Sequence, residues 1–438
     1  MKTNKTLLSL AVACSLVTTS ATVNAAGFQL AEYSATGLGR AYAGEAAMAD
    51  NASAQWRNPA MLTQLEGTQV SVGAIYVNPN VDVKGEVDGG KSLNPTLPKT
   101  EASSSDFAHD AIIPNLYISH RYSEELAIGF AVGTNYGMET DLGNDFAASH
   151  FGNEASIITK EANLNLAYQV NQAVSIGGGI RYVIGEGSFG ATAPENNALA
   201  GLGLEKGTPL KYMEGEDTAW GWQFGTAWQI NEQHRIGFTY KSAVDLKLEG
   251  DAKIMQLAPG TPVANDTGSM DLTLPQTAEL ASFHQLTDKL AMHASINWTD
   301  WSSFKELYAD LDTLESQTVK VENWKDNYRF AVGATYQVDP KLALRTGIAY
   351  DTSAVSDKNR TITIPETDRT WLSLGASYEF TKQFSLDGGF TYIFAKDAPI
   401  TESRGYESDD KAQAIGGEFV GETTGNVWLI GVQANYTF

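Results

Sequence analysis

The chain has 438 residues, with 30 Lys plus Arg against 52 Asp plus Glu, for a net charge of −22. That balance excludes a general nucleic-acid binder, because phosphates need a basic surface, and the single cysteine, Cys14, excludes a disulfide framework. No segment beyond the first 25 residues stays apolar for the roughly 18 residues that a membrane-crossing helix needs.

The start of the chain reads as a targeting segment. Lys2 and Lys5 form a charged end, Leu7 to Val17 an apolar run, and Val23-Asn24-Ala25 a small-residue cleavage site. Residues 1–25 are therefore expected to be a signal peptide. Ala11-Val12-Ala13 before Cys14 is a poor context for lipidation. Residues 26–66 differ from everything after them. They are crowded with Ala, Gly and Ser, carry Glu32, Arg40, Glu45, Asp50 and Arg57, and hold the turn Asn58-Pro59-Ala60. Small residues allow close backbone packing, and charges are tolerated inside only when paired or wet. The segment reads either as a plug inside a barrel or as an arm lying outside one.

From residue 67 onward the chain alternates with period two, which sends successive side chains to opposite faces of a sheet. Such runs are Val70 to Tyr76, Leu116 to Tyr122, Leu126 to Val132, Leu164 to Val170, Val174 to Tyr182, Trp220 to Ile230 and Ile236 to Tyr240. Leu272 to Phe283, broken at Pro275, continues the series, followed by Leu290 to Trp298, Tyr328 to Val338, Leu342 to Tyr350, Leu372 to Phe380, Leu386 to Phe394 and Val427 to Phe438. About fourteen strands result, an even number as in bacterial barrels. The last strand puts Trp428, Ile430, Val432, Ala434, Tyr436 and Phe438 on one face. Its Tyr-x-Phe ending resembles the assembly signal of outer-membrane barrels.

Connections alternate in length. Tyr122 to Glu125, Val170 to Ala173, Asn231 to His234, Thr287 to Lys289, Val338 to Lys341 and Phe380 to Gln383 are tight turns. Asn78 to Asp110, Met138 to Thr159, Ser188 to Gly215, Gly250 to Met270, Phe304 to Asn323, Thr352 to Thr367 and Ala395 to Gly425 are long polar stretches. This is the pattern of an all-β, up-and-down antiparallel transmembrane barrel, residues 67–438, in a Gram-negative outer membrane. Both barrel ends fall on the short-turn side, next to the lumen, which favours the plug.

Two long loops carry apolar residues, Leu199, Leu202 and Leu204 in one and Ile254, Met255 and Leu257 in the other. They either pack the loops together or form an exposed groove for an apolar ligand. Asn135-Tyr136-Gly137 ends or kinks the third strand, with Gly137 able to take the backbone angles of a bend. No catalytic constellation, cofactor motif or metal-ligand spacing stands out. The six histidines show no His-x-x-x-His, and Gly37-x-Gly39 lacks the third glycine and preceding strand of a dinucleotide site.

Gly27-Phe28-Gln29-Leu30, Gly37 to Tyr42, Arg57 to Ala60, Thr134 to Gly137, Arg345 to Ala349 and Ile364 to Leu372 together resemble the outer-membrane long-chain fatty-acid transporters, the FadL-like channels. The resemblance covers the mature chain and implies fourteen strands around an N-terminal hatch. It implies passive transport, with ligand caught by the outer loops, passed to a pocket under the hatch, and released sideways through a kink in strand three. Phe28, Asn58, Pro59 and Ala60 match the hatch, and Asn135, Tyr136 and Gly137 the kink. Lys320, Asp351 and Arg369 match charged positions near the pocket, where another basic position is Ala191 here. The implied partners are a long-chain fatty acid, outer-membrane lipid and lipopolysaccharide, with the protein a monomer. A channel of the same family for aromatic or alkane hydrocarbons, and a non-specific porin or structural barrel, are the alternatives.

Overall fold

A computed structural model of the chain describes residues 27–88, 98–195, 204–256, 263–403 and 417–438; the expected signal peptide lies outside them. The alternating runs form fourteen antiparallel strands, seven continuous and seven broken in two. They are β1 (Thr68–Val87), β2 (Thr100–Ser104 and Ala111–Arg121), β3 (Leu126–Gly133 and Gly137–Asp141), β4 (Glu154–Gln169) and β5 (Val174–Thr192). Next come β6 (Pro209–Asn231), β7 (His234–Lys241 and Val244–Met255), β8 (Val263–Leu274 and Thr277–Gln285) and β9 (Leu290–Thr299 and Glu306–Leu311). The last five are β10 (Gln317–Val321 and Asn327–Gln337), β11 (Leu342–Asp351), β12 (Arg369–Glu379), β13 (Phe384–Ala395 and Ala398–Ser403) and β14 (Glu418–Thr437). β14 pairs with β1 from Gln69↔Thr437 to Val87↔Phe419 and closes the barrel. Closure leaves no edge to be solvated, which a bilayer demands.

The alternation decides which face meets lipid. Ile430, Val432, Tyr436 and Phe438 are exposed on the outside of β14, while Gln433 is buried inside it. Several strands run well past their expected ends. β1 continues to Val87 and pairs there with Thr100–Ser104, within the stretch read as a loop from Asn78. β7 and β8 likewise continue as a ladder from Val244↔Leu274 to Met255↔Val263. Outward residues such as Lys84, Glu86, Lys247 and Asp251 are polar there. The apolar alternation therefore stops at the edge of the hydrocarbon, but backbone pairing goes on into water.

Residues 27–65 lie inside the wall and touch strands all around it. They fold into α1 (Ala35–Leu38), a 3-10 turn at Glu45–Ala47, α2 (Ala54–Arg57) and a second 3-10 helix at Pro59–Gln64. Ser34 caps α1 by accepting from the Gly37 N–H at 3.0 Å. Pro59 opens its helix where a missing N–H costs nothing. The fit depends on wall residues without side chains. A Cβ on Gly237 or Gly347 would overlap the carbonyl of Ala46 or of Arg40, and one on Gly177 would press on the Ala60 nitrogen.

The segment's charges other than Glu32, whose carboxylate accepts from the Ala31 N–H, are paired. Arg40 bridges Glu45 at 2.6 Å and Asp50 at 2.7 Å, and Arg345 of β11 lies 3.7 Å from Asp50. Burial pushes the Asp50 carboxyl up, but Arg40 and Arg345 outweigh it and hold it at about 2. Arg57 meets Glu279 of β8 at 3.1 Å. The Asn58 amide donates to the Ala46 carbonyl at 2.6 Å and to Thr226 of β6 at 3.1 Å, while its oxygen accepts from the Ala60 N–H at 3.0 Å. One side chain thus ties the segment to itself and to the wall. Gly237→Val should leave a barrel with normal heat-modifiable gel mobility but unseat Ala46 and break the Asn58 contacts. Its ion conductance in planar bilayers should exceed that of the wild type; equal conductance would mean the wall can give way at this point.

Candidate functional site

β3 is interrupted between Gly133 and Gly137. Below the break it pairs with β2 from Leu116↔Val132 to Arg121↔Ala127. Above it, contact returns only at the Ala108↔Thr140 bridge. Ala111 to Asn115 of β2 pair with β1 but, among the described residues, not with β3. At about 3.3 Å per residue, the wall is unpaired there for roughly 17 Å. Towards β4 the side chains of Thr134 and Thr159 take over: the Thr134 hydroxyl donates to the Thr159 carbonyl, and the Tyr136 N–H donates to the Thr159 hydroxyl at 3.2 Å. Towards the lumen, the N-terminal segment supplies the missing strand. The Leu30 N–H donates to the Asn135 carbonyl at 2.7 Å, the Gly137 N–H donates to the Phe28 carbonyl at 2.8 Å, and Gln29 bridges Tyr136. Gly137 lies outside the left-handed region, so the bend does not depend on glycine's extra freedom. It follows the inward pairing with residues 28–30. The Asn135 side chain is held by Glu161 at 2.7 Å and Lys241 at 3.2 Å, and Glu161 is clamped by Arg181 at 2.8 Å.

Phe28, next to this pairing, is boxed by Trp301, Phe304, Trp324 and Tyr136, with ring centroids 4.5, 5.8, 5.9 and 6.1 Å away. Gly27 before it has a φ of 63°, and a Cβ there would come within 2.6 Å of Trp301 and Trp324. Phe28 lines a cavity with mainly apolar walls, the character expected of a small-molecule site. Met138, Ile157, Phe189, Met213, Leu248 and Ala309 are among its walls. Its polar lining includes Lys320, Glu322 and Thr363. The Lys320 ammonium sits 3.0 Å from Glu402, donates to the Thr363 hydroxyl at 2.9 Å, and lies 5.5 Å from the Phe189 ring centroid.

Of the three charged residues grouped by sequence resemblance, Asp351 and Arg369 face each other across two strands, while Lys320 lies apart from them. Lys320 lines the cavity. Asp351 lies in a second, more polar cleft with Arg57, Lys241 and Glu279, paired to Arg329 at 2.9 Å and accepting from the Trp371 indole at 2.8 Å. Arg369, its cross-strand partner, pairs with Glu366 at 3.4 Å. Ala191, where the resemblance placed a basic residue, is buried in the apolar cluster around the cavity. Of the loop residues, Ile254 joins that same cluster, while Leu204 packs with Ala193, Leu210 and Met255. Leu199, Leu202 and Leu257 lie outside the described residues. Sequence reasoning missed the aromatic box and Glu322. The signal was present: Trp301, Phe304 and Trp324 flank a stretch read only as polar loop, and Glu322 shares the Lys320 face by period two.

Phe28→Ala should remove about 3–5 kcal/mol of burial from the tip of the N-terminal segment and leave its charged anchors in place. The Leu30 and Gly137 amides should then exchange hydrogen about 100- to 1,000-fold faster, while amides in the middle of β4 and β5 keep their protection. Unchanged exchange at Leu30 and Gly137 would mean that Phe28 does not hold the inserted strand.

Residues 15–438 match the family described as Outer membrane protein transport protein (OMPP1/FadL/TodX). The long-chain fatty acid transport protein of Escherichia coli O6:H1 is 34% identical over 100% of this chain and 99% of its own length. Outer membrane protein P1 of Haemophilus influenzae is 34% identical over 100% of both. A crystal structure of a Pseudomonas aeruginosa FadL homologue shares the fold with a TM-score of 0.81 at 22% identity, over 94% of this chain and 100% of that one. The Pseudomonas putida toluene transporter TodX does so with a TM-score of 0.65 at 15% identity, over 94% and 100%. The closed barrel and these full-length matches together place the chain in the OMPP1/FadL/TodX family of outer-membrane transport channels, which are not enzymes.

Proposed function

We propose that the protein is a passive channel for long-chain fatty acids. Ligand is received by the outer loops of a monomer set in lipid and lipopolysaccharide, enters the cavity lined by Phe28, and leaves sideways through the break in β3. Residues 26–66 act as the plug, and the Asn58-Pro59-Ala60 turn holds its base to the wall. The observation that carries this reading is the direct link between cavity and break: the Phe28 ring lines the cavity, and its own carbonyl accepts from the Gly137 N–H at the break. Movement of residues 28–30 would open both at once.

Energetics favour a sideways exit. Each methylene of the acyl tail prefers an apolar setting by roughly 0.8 kcal/mol. A path down through the lumen meets the Arg40–Glu45–Asp50 network and the Arg57–Glu279 pair. A path through the wall break leads from an apolar cavity to bilayer hydrocarbon without crossing either.

Ala309 is buried in the cavity wall. Ala309→Trp should fill the space that the tail needs, leave barrel assembly unchanged, and weaken oleate binding by roughly tenfold or more. Uptake of labelled oleate by cells should fall in parallel. Normal oleate binding to a folded Ala309→Trp barrel would remove the cavity as the ligand site.

A further inference from the structure

Lys320 and Glu322 line the cavity, and Glu402, paired with Lys320, makes the local balance one cation to two carboxylates. Lys320 is the only Lys or Arg lining the cavity among the described residues, and Glu402 already neutralises it at 3.0 Å. The other Glu402 oxygen accepts from the Ile362 N–H at 2.8 Å, so this acid is fixed in place. Glu322 is fully buried. Its Oε2 accepts from the Trp324 indole at 2.8 Å, and its Oε1 has no hydrogen-bond partner. A buried, unpaired carboxylate oxygen is costly and calls for a donor. Glu214 and Asp251 also border the cavity, but both are exposed.

A fatty-acid carboxylate placed here would be the third negative group against a single positive one. Resting on the cavity as the ligand site, we propose that Glu322 Oε1 is the hydrogen-bond partner of the ligand's polar end, and that the cavity selects a head group able to donate a proton: an alcohol or a protonated acid, rather than a free carboxylate. An alcohol donates its O–H to Glu322 in either ionisation state. An acid must share at least one proton with Glu322, as two facing carboxyl groups do. The charged groups acting on Glu322 are Lys320 and Glu402. Lys305, whose carbonyl accepts from the Glu322 N–H, has an exposed side chain. Burial pushes the Glu322 carboxyl up to about 7, against the pull of Lys320 and the Trp324 N–H, so the site holds its own proton below neutrality.

The test compares purified full-length protein binding oleate and oleyl alcohol, which have the same tail, between pH 5.5 and 8.5. Oleyl alcohol should bind with nearly constant affinity. Oleate should weaken as pH rises, approaching about tenfold per unit once the shared proton is lost, and at pH 8.5 should bind at least tenfold more weakly than the alcohol. Glu322→Gln should flatten the oleate profile, because the amide donates to a carboxylate. Glu402→Gln should free Lys320 and shift preference towards oleate. If wild-type protein at pH 8.5 binds oleate as tightly as the alcohol, the inference is wrong, whatever the variants do. Ala309→Trp separates this from the broader reading: if it leaves binding of both ligands intact, the cavity is not their site; if it abolishes both while oleate is preferred, only the head-group assignment fails.

Discussion

A membrane barrel must satisfy every backbone N–H and C=O within the wall, because hydrocarbon offers no partner. The rest of this structure follows from how β3 meets that constraint. A strand interrupted over Thr134–Tyr136 would be expensive in a plain barrel. Here the backbone bends inward, Thr134 and Thr159 cover the β4 side, and Phe28 to Leu30 stand in for β2 on the other. The substitute strand comes from the lumen and not from a neighbouring strand of the wall. The cost of the break is met only while residues 28–30 stay in place.

The lumenal segment is therefore held unevenly. Its body is anchored by the Arg40–Glu45–Asp50–Arg345 network, the Arg57–Glu279 pair and the Asn58 amide. Buried pairs of this kind are poor sources of net stability, but removing one partner is strongly destabilising. They therefore fix position more than they add energy. Its tip has two backbone hydrogen bonds and the aromatic box around Phe28. Aromatic burial is strong but non-directional, and an acyl tail could replace it in kind. In the channel proposed above, this division lets the segment stay seated while its end moves.

The fold was largely legible in the sequence because period-two alternation reports which face meets lipid, and it does so strand by strand from Val70 to Phe438. Strand ends were less legible. Beyond the membrane the outward residues of β1 and β7 are polar, and only the inward Val83, Val87, Leu246 and Leu248 keep the apolar period, so a paired strand in water is hard to separate from a loop. The break at Asn135 could be seen as an interruption, but not its partner, since Phe28 and Gly137 are far apart in sequence and meet through the lumen. The glycine argument for the bend was the wrong one, as Gly137 keeps an ordinary backbone angle. Lys320, Asp351 and Arg369 came from resemblance alone. The structure assigns each its own acid or base, Glu402, Arg329 and Glu366, a pairing that no spacing rule contains.

We infer that residues 28–30 must leave the β3 break for ligand to pass. Gln29 and Tyr136 face each other as a bridge whose flanking residues carry the hydrogen bonds, a pairing with Cα atoms about 4.5 Å apart, within disulfide reach. Gln29→Cys with Tyr136→Cys would lock the inserted strand to the wall, and uptake of labelled oleate would be measured with and without reductant. The oxidised protein should stay assembled and fail to deliver oleate, and reduction should restore delivery. Full uptake by the oxidised, locked protein would contradict the inference.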